Sequence, residues 1–171
     1  DFNKSLDYIN RSINKNPDSP VYIFNSGVLL RDLGRPEEAK QAFIRTVELD
    51  PEYVATYGNR GVARKKKGDL DGAIEEFNRA IELDPDYVKA YYNRAATYGN
   101  MGNLDNAIRD YSRAIELDPN YAIAYSGRSM AYFGKRDDVR AWADVTKAQA
   151  LGAKVDPRFI AALRESSPRL P

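Results

Sequence analysis

The sequence contains no cysteine and no histidine among its 171 residues. Without cysteine there is no disulfide, no thiolate nucleophile and no cysteine-ligated zinc. Without histidine there is no imidazole for acid–base catalysis near neutral pH. Because a chain without cysteine is compatible with a reducing or an oxidising environment, the cellular compartment stays open. The two absences remove much of enzyme chemistry, and they argue against a cofactor or metal centre built on these ligands.

Long apolar runs and a strong net charge are also missing. No run of about 18 apolar residues occurs, so the sequence predicts no membrane insertion. The 26 basic and 25 acidic residues give a net charge of +1, which provides no overall attraction to nucleic acid or anionic lipid. The opening segment DFNKSLDYIN lacks the pattern of a signal peptide. It also lacks an initiator methionine, which favours a processed protein or a piece of a longer one.

What the sequence does contain is a period of 34 residues. The phrase IELDP occurs at 81–85 and 115–119, and VELDP occurs at 47–51, so that Pro51, Pro85 and Pro119 are 34 residues apart. Pro17 lies one further period upstream. A proline disfavours the α conformation of the residue before it. Each ELDP phrase therefore predicts the end of a helix, and the period predicts a repeat protein.

Several places within this period hold residues of one kind. The units 20–53, 54–87, 88–121 and 122–155 put the three prolines at the thirty-second place. Small residues take the eighth and twentieth places, a large side chain takes the twenty-fourth, and glycine takes the fifteenth in three units. The eighth place holds Gly27, Gly61, Ala95 and Ser129, and the twentieth holds Ala39, Ala73, Ala107 and Ala141. The twenty-fourth place holds Phe43, Phe77, Tyr111 and Val145, and the glycines of the fifteenth place are Gly34, Gly68 and Gly102.

These places predict a hairpin of two helices in each unit. Small residues at the eighth and twentieth places allow two helices to approach closely, and the twenty-fourth side chain is expected to fill the groove between units. Glycine at the fifteenth place ends the first helix in a left-handed conformation. In the second half of the unit, AIEEFNRAIEL places its apolar residues on one helical face.

The pattern resembles the tetratricopeptide repeat (TPR), a 34-residue helix–turn–helix unit. The resemblance implies an all-α fold, a right-handed α-solenoid with repeats at 20–53, 54–87, 88–121 and 122–155. The fourth repeat is degenerate, because Arg136 replaces the turn glycine and no proline stands at 153. The leucine usual at the seventh place is replaced by Ser26 in the first repeat and by Arg60, Arg94 and Arg128 in the other three.

Both ends of the chain extend beyond the four repeats. Residues 1–19 are expected to be the second helix of a preceding, partial repeat, with Tyr8 at its aromatic place and Pro17 closing it. Residues 156–171 are expected to form a capping helix and a tail, since Asp156-Pro157 is a typical helix start. A terminal repeat needs such a cap over its exposed face. The alternative is that this helix opens a further repeat.

By resemblance to the family, the first helices line a concave groove, with the second, fifth, sixth, ninth and twelfth places facing it. Many of these places are apolar, and an exposed apolar groove with a polar rim is typical of a partner-binding surface. We therefore expect a peptide-binding groove without a cofactor or metal. Its predicted residues are Val21, Phe24, Asn25, Val28, Asn59, Lys89, Tyr92, Asn93, Ile123, Met130 and Phe133.

The sixth place is the most informative, because it reads Asn25, Asn59 and Asn93 before changing to Gly127. A side-chain amide offers a donor and an acceptor, so it can pair with both polar groups of one peptide unit. Family members with an asparagine ladder hold an extended chain in this way. The alternative is that these asparagines cap or bridge neighbouring first helices.

A terminal EEVD-type peptide is not the expected ligand. Family members that bind it use Lys and Asn at the fifth and ninth places, Asn at the sixth place of the next repeat, and Lys and Arg at the second and sixth places of the third. Counted from the first repeat, only Asn59 and Lys89 match this pattern. Counted from the second repeat, only Asn93 matches.

Other polar clusters have a structural explanation. The basic run RGVARKKKGD at 60–69 could contact phosphates, but it is expected at the C-terminal end of a helix, where cations complement the dipole. The twelve tyrosines lie mostly at repeat-defining places and are expected in the core. The pair Asp137-Asp138 is expected to open a helix, and the pair Glu75-Glu76 is expected on an outer face beside Arg79. Neither carboxylate cluster resembles an acid–base pair.

The sequence therefore predicts a non-enzymatic module that binds a protein or peptide partner. Two alternatives remain. The chain could be a self-assembling scaffold that forms homo-oligomers, or it could be the substrate-selecting TPR domain of a larger enzyme such as a glycosyltransferase. Neither nucleic acid nor a membrane is an expected partner.

Overall fold

The computed structural model describes residues 4, 7, 11 and 16–167. In this part of the chain all regular secondary structure is α-helical, which confirms the predicted all-α fold. The helices are α1 (Pro20–Asp32), α2 (Pro36–Leu49), α3 (Tyr53–Lys66), α4 (Leu70–Leu83), α5 (Val88–Asn100), α6 (Leu104–Leu117), α7 (Ala122–Gly134), α8 (Asp138–Ala150) and α9 (Pro157–Ser166).

The first eight helices form four consecutive hairpins, α1–α2, α3–α4, α5–α6 and α7–α8, and each 34-residue unit contains one of them. Neighbouring hairpins stack, so that the first helices α3, α5 and α7 contact one another in succession. The apolar core runs through the stack as three adjoining clusters rather than as one centre. The result is an α-solenoid, as the sequence predicts.

The ELDP phrases end the second helices as expected. Helices α2, α4 and α6 stop at Leu49, Leu83 and Leu117, two residues before each proline. The aspartate of each phrase has a role that the proline argument alone did not predict. The Oδ1 atoms of Asp50, Asp84 and Asp118 accept a hydrogen bond from the backbone N–H two residues later, at 3.1, 3.0 and 3.0 Å. This local bond fixes the turn into the next hairpin.

The turn inside each hairpin uses a left-handed residue. Gly34, Gly68 and Gly102 have φ angles of 74°, 83° and 77°, which confirms the prediction for the fifteenth place. Arg136 occupies the same place in the fourth unit, and it also adopts a left-handed conformation, with φ of 62°. A side chain makes this conformation costly. The fourth turn is therefore strained where the first three are not.

The twenty-fourth side chains of the first two units make a close contact inside their own hairpin, in addition to any contact between units. A Cβ atom at Gly27 would come within 2.8 Å of Phe43, and one at Gly61 would lie 2.5 Å from Phe77. Both rings therefore lie against the eighth place of their own hairpin. The glycine at that place has no Cβ, which allows the close approach of the two helices.

Helix α9 covers the end of the stack. Its Leu163 is fully buried and belongs to the same apolar cluster as Trp142 and Val145 of α8. The hydroxyl groups of Ser166 and Ser167 donate hydrogen bonds to Oδ2 of Asp138 at the start of α8. These contacts are those expected of a cap, and they would equally hold the first helix of a further repeat in place.

The N-terminal segment lies largely outside the described residues. Lys4, Asp7 and Arg11 are helical and exposed, and Arg11 Nη2 lies 2.9 Å from Asp7 Oδ2 one turn away. The predicted second helix of a partial repeat, with Tyr8 at its aromatic place, falls on residues that are otherwise not described, as does the tail at 168–171.

Candidate functional site

The candidate site is the side of α1, α3, α5 and α7 that carries the second, fifth, sixth, ninth and twelfth places of each unit, called the groove face below. Asn25 and Asn59 are exposed on it. Among the described residues, neither side chain forms a hydrogen bond, so both amides are available to a ligand. Asn93 is half-buried, and its Nδ2 donates to the Lys89 carbonyl one turn earlier at 2.9 Å. Its Oδ1 and second N–H remain available.

The apolar residues of the groove face differ in exposure. Val21, Ile123 and Met130 are exposed, with relative accessibilities of 48%, 45% and 53%. Val28 and Tyr92 are half-buried, whereas Lys89 is exposed. The exposed members lie near the two ends of the stack, on α1 and α7, and the centre of the groove face is more polar.

Phe24 is a correction to the predicted site. Its side chain is only 2% exposed, and its ring packs against Phe43, Tyr53 and Tyr57 with centroid separations of 5.6, 5.8 and 5.3 Å. The Phe24 ring forms one cluster with these aromatic side chains of α2 and α3. Burying the Phe24 side chain in that cluster stabilises the fold by roughly 1.5–3 kcal/mol. Phe24 therefore belongs to the core between two hairpins and does not line an open pocket.

Phe133 is covered in part by the terminal helix. Its ring meets the ring of Phe159 edge to face, with centroids 5.5 Å apart and an interplanar angle of 81°. Such edge-to-face pairs are favourable beyond their buried area. Because Phe159 belongs to α9, the terminal helix forms one boundary of the groove face, and Phe133 offers a partner only part of its surface.

A cavity of about 450 Å³ opens on the groove face between α5 and α7. Its walls are mostly apolar, and none of its lining residues carries a carboxylate. They are Tyr92, Ala96, Gly99 and Asn100 of α5; Leu104 and Tyr111 of α6; Ile123, Ser126, Gly127, Met130 and Ala131 of α7; and Ala153 and Lys154 after α8.

Tyr111 shapes the floor of this cavity. In its own unit the eighth place is Ala95, which is fully buried, so the ring lacks the glycine that receives Phe43 and Phe77. It lies instead against Gly127 of the next unit, where a Cβ atom would come within 2.7 Å of its hydroxyl oxygen. Gly127 takes the sixth place that holds asparagine in the other units. The asparagine row therefore ends where Tyr111 needs the space.

The phenol groups of the cavity remain protonated. Burial raises the pKa of Tyr111 and of Tyr92, and the neighbouring Tyr92 phenol adds to the effect on Tyr111. The two rings are tilted with centroids 5.8 Å apart. Both hydroxyl groups are thus hydrogen-bond donors at neutral pH. Together with Lys154 and Ser126 they make the polar part of the cavity rich in donors.

Three arginine–carboxylate pairs connect the two helices of a hairpin beside this site. Each arginine stands at the seventh place, and its carboxylate partner follows sixteen residues later. Arg94 contacts Asp110 at 2.6 and 2.8 Å, and Arg128 contacts Asp144 at 2.8 Å through two hydrogen bonds. The sequence shows the arginines at the seventh place, and the constant sixteen-residue spacing to a carboxylate is the signal that could identify their partners.

Glu76 is a second correction, because it does not lie on an outer face. It is the carboxylate of the third pair and is only 1% exposed. Its Oε1 lies 3.0 Å from Arg60 Nη2, 3.2 Å from Arg64 Nε and 3.5 Å from Arg79 Nη1. Glu76 lies sixteen residues after Arg60, and its side chain points towards this arginine at the seventh place of the same hairpin. The exposed neighbour Glu75 is the true surface residue.

The remaining polar clusters are structural. The basic run falls at the C-terminal end of α3, where Arg64 Nη1 also lies 2.6 Å from Asp69. Asp137 accepts a hydrogen bond from the Arg140 N–H at 3.1 Å and thereby caps the start of α8. Within the described residues no three acidic, cysteine or histidine side chains are grouped to hold a metal ion. None of the described helices is long and apolar enough to cross a membrane.

Comparison with known sequences identifies the repeat. One model described as a TPR repeat matches residues 63–102, and two described as tetratricopeptide repeat match residues 88–121 and 21–53. All three describe repeats and none describes a catalytic domain. No curated protein sequence matches the chain.

Comparison with solved structures agrees with the sequence models. The chain is similar to a crystal structure of MamA, with 28% identity, a TM-score of 0.57 and coverage of 88% of both chains. It is also similar to the first TPR of Spaghetti (RPAP3) bound to the HSP90 peptide SRMEEVD, with 25% identity and a TM-score of 0.64 over 70% of this chain and 94% of that one. The Arabidopsis OM64 TPR domain has the same identity and TM-score over 67% and 96%. The chain belongs to the tetratricopeptide repeat family.

Proposed function

We propose that the chain is an interaction module that binds an extended segment of a partner protein along its groove face. The single observation that carries this proposal is the row of asparagines with unused hydrogen-bonding groups. Asn25 and Asn59 form no side-chain hydrogen bond within the described structure, and Asn93 uses only one N–H. One amide per repeat suits a ligand whose own polar groups recur at regular intervals, as the peptide units of an extended chain do.

The apolar groups beside this row support the same ligand. Ile123 and Met130 are about half exposed, and they flank the cavity between α5 and α7. An extended segment that lies on the asparagines can direct a side chain into this cavity. Backbone contacts would then supply affinity and the cavity would supply selectivity, as in other modes of peptide recognition.

A similar solved TPR domain, that of RPAP3, is bound to an HSP90 peptide, which supports peptide binding by this fold. The ligand of the present chain differs from that peptide in our proposal. Counted from the first repeat, only Asn59 and Lys89 match the residues with which family members bind an EEVD-type terminus. Phe24, which stands where those members have lysine, is buried in the core.

The proposal can be tested with peptides selected from a random-peptide display library panned against the chain. The affinity of a selected peptide is then measured by calorimetry for the parent and for the double variant Asn59→Ala with Asn93→Ala. Each lost amide leaves peptide groups unpaired, at a cost of roughly 1–3 kcal/mol. We expect binding to fall at least about thirtyfold in the double variant.

Glu75→Ala is the matched control, since this side chain is exposed on α4, the second helix of its hairpin. It should leave both the affinity and the thermal midpoint unchanged. If the selected peptide binds the double variant as tightly as the parent, the groove face does not carry the interaction.

A further inference from the structure

The cavity between α5 and α7 combines apolar walls with a lysine at its rim. Lys154 lies at its rim and is exposed, and it forms no ion pair within the described part of the chain. We infer that the groove binds an internal acidic segment of a partner protein, with a large apolar side chain in this cavity and a neighbouring carboxylate on Lys154. This inference rests on the proposed function and names the chemistry of its partner.

The shape of the cavity favours an apolar side chain. Its volume of about 450 Å³ falls within the range of roughly 300–1,000 Å³ that is usual for ligand pockets. Met130 and Ile123 at its edge leave about half of their surface in contact with water, and covering them with an aromatic or large aliphatic group would remove that surface from solvent. The flexible methionine side chain can adapt to the shape of the group that enters.

The charges of the groove face favour an acidic segment. Its second, fifth, sixth, ninth and twelfth places include no acidic residue. They include three cations, which are Arg31, Lys65 and Lys89. Arg31 is neutralised by Asp32 and Glu82. Lys89 forms no ion pair in the described structure, and neither does Lys154. Lys65 of the same face also forms no ion pair there. The groove face and the cavity rim therefore present lysine charges and no acidic residue, an arrangement that an acidic partner can complement.

The position of Lys154 is fixed by the fold. The Ala153 N–H donates to the Ala148 carbonyl at 2.9 Å, and Val155 on the other side is buried in the terminal apolar cluster. The backbone of Lys154 is thus held on both sides, while its side chain reaches the cavity rim. The Tyr92 and Tyr111 phenols add neutral donors to the cavity, and none of the lining residues is an acid.

An internal segment suits this arrangement better than a chain terminus. A terminal carboxylate and a side-chain carboxylate together require several converging cations, as in a bidentate or clamp-like site. The cavity itself has the single cation Lys154. The corresponding places on α1 are filled by Phe24, which is buried, and by the half-buried Val28.

The test uses synthetic peptides that are acetylated at the N-terminus and amidated at the C-terminus. One carries a central Phe flanked by Glu on both sides, a second has Lys in place of Glu, and a third has Ala in place of Phe. A fourth repeats the first with a free C-terminal carboxylate. Binding is measured by fluorescence polarisation at low and at high salt. We expect the Glu–Phe peptide to bind at least about tenfold tighter than the second and third, and equally with or without the free carboxylate.

Two variants test the contacts. A Cβ atom at Gly99 would meet nothing within 4 Å, and Gly99 lines the cavity, so Gly99→Leu introduces a side chain that occupies cavity space. It also replaces a helix-weakening glycine, so the thermal midpoint should not fall. We expect it to weaken the binding of the Glu–Phe peptide more than about tenfold. Lys154→Glu should lower the affinity for the Glu–Phe peptide about three- to tenfold and should raise the affinity for the peptide with Lys in place of Glu.

Each contrary result has a separate meaning. Equal binding of the Glu–Phe and Lys–Phe peptides, or no effect of Lys154→Glu, overturns the acidic partner while the groove function stands. Retained binding in Gly99→Leu overturns the cavity assignment. If the parent self-associates in sedimentation experiments and Gly99→Leu abolishes this, the occupant is a second copy of the chain, which also overturns the inference. Failure of the groove function itself is a different result, namely undiminished binding of a selected peptide by Asn59→Ala with Asn93→Ala.

Discussion

Arg94 and Asp110 bind each other through two parallel hydrogen bonds, from Nε to Oδ2 at 2.6 Å and from Nη2 to Oδ1 at 2.8 Å. The pair connects α5 to α6 behind the groove face. Side-chain exposures of 18% and 6% make it largely buried, and Arg94 Nη1 also reaches Asn78 Oδ1 of the preceding hairpin at 2.6 Å. The same arrangement in the next hairpin joins Arg128 to Asp144 and Ser112. These pairs join α5 and α7, the two first helices that flank the cavity, to the second helices of their own and of the preceding hairpins.

The first prediction concerns this pair. Arg94→Leu restores the leucine that is usual at the seventh place, but it leaves the Asp110 carboxylate buried without its partner. We expect the free energy of unfolding to fall by about 3–5 kcal/mol. Adding Asp110→Ala removes the orphaned charge, so the double variant should regain most of that loss. Chemical denaturation of the two single variants and the double variant measures the coupling. Additive losses would mean that the pair does not act as a unit.

The second prediction separates two adjacent glutamates of α4. Glu76→Ala removes a buried carboxylate that three arginines share, and we expect a loss of more than about 2 kcal/mol in unfolding free energy. Glu75→Ala alters an exposed side chain and should change it by less than about 0.5 kcal/mol. Similar denaturation midpoints for the two variants would show that Glu76 is not buried as described.

The third prediction concerns the strained turn of the fourth unit. Arg136 has a φ of 62°, where glycine suffers no steric penalty. Arg136→Gly should raise the free energy of unfolding by about 0.5–1 kcal/mol, the lower cost of the left-handed conformation being offset in part by the greater freedom of glycine in the unfolded chain. Gly102→Arg makes the reverse change at the equivalent place, where a Cβ atom meets nothing within 4 Å. It should be destabilising by a similar amount. Equal thermal midpoints for parent and both variants would contradict the prediction.

The fourth prediction concerns alkaline pH. Burial raises the pKa of Tyr53 and Tyr111 well above the ordinary value, and that of Tyr92 and Tyr121 in the same direction. Below about pH 9 these phenols are neutral in both states and contribute no pH dependence. Above it the unfolded chain loses protons that the folded protein keeps, so the free energy of unfolding falls as pH rises.

An alkaline titration followed by tyrosinate absorbance tests this directly. Only part of the twelve tyrosines should ionise in the ordinary range, and the rest should ionise together as the helical circular dichroism signal is lost. Tyr111→Phe should remove part of this late step. If all tyrosines ionise in one ordinary transition while the helices persist, the phenols are not buried as described.

The hairpins were predictable because their signals are local. The prolines after the second helices, the turn glycines and the apolar faces act within one unit, and they recur often enough to define the period. The orientation of a groove-face side chain is not local. Whether Phe24 faces a ligand or the neighbouring hairpin depends on Tyr53 and Tyr57, which lie in the next unit.

The cavity shows the same limit. The sequence contains Ala95 where two units have glycine, and Gly127 where three units have asparagine. The structure shows that the two positions are linked through Tyr111. Its ring does not pack against Ala95 as the rings of Phe43 and Phe77 pack against glycine, and it packs against Gly127 instead. The burial of Glu76 was likewise not predicted from the sequence. The nearby Arg79 indicated an exposed ion pair on the helix surface.

The most direct test of the groove is an NMR titration of the asparagine side-chain amides with a peptide selected from the library. We expect the side-chain NH₂ resonances of Asn59 and Asn93 to shift on binding, together with backbone resonances of α5 and α7. Asn106 on α6 serves as the internal control and should not move. Shifts confined to α4, α6 and α8, with the Asn59 and Asn93 amides unchanged at saturation, would show that the peptide does not bind to the groove face.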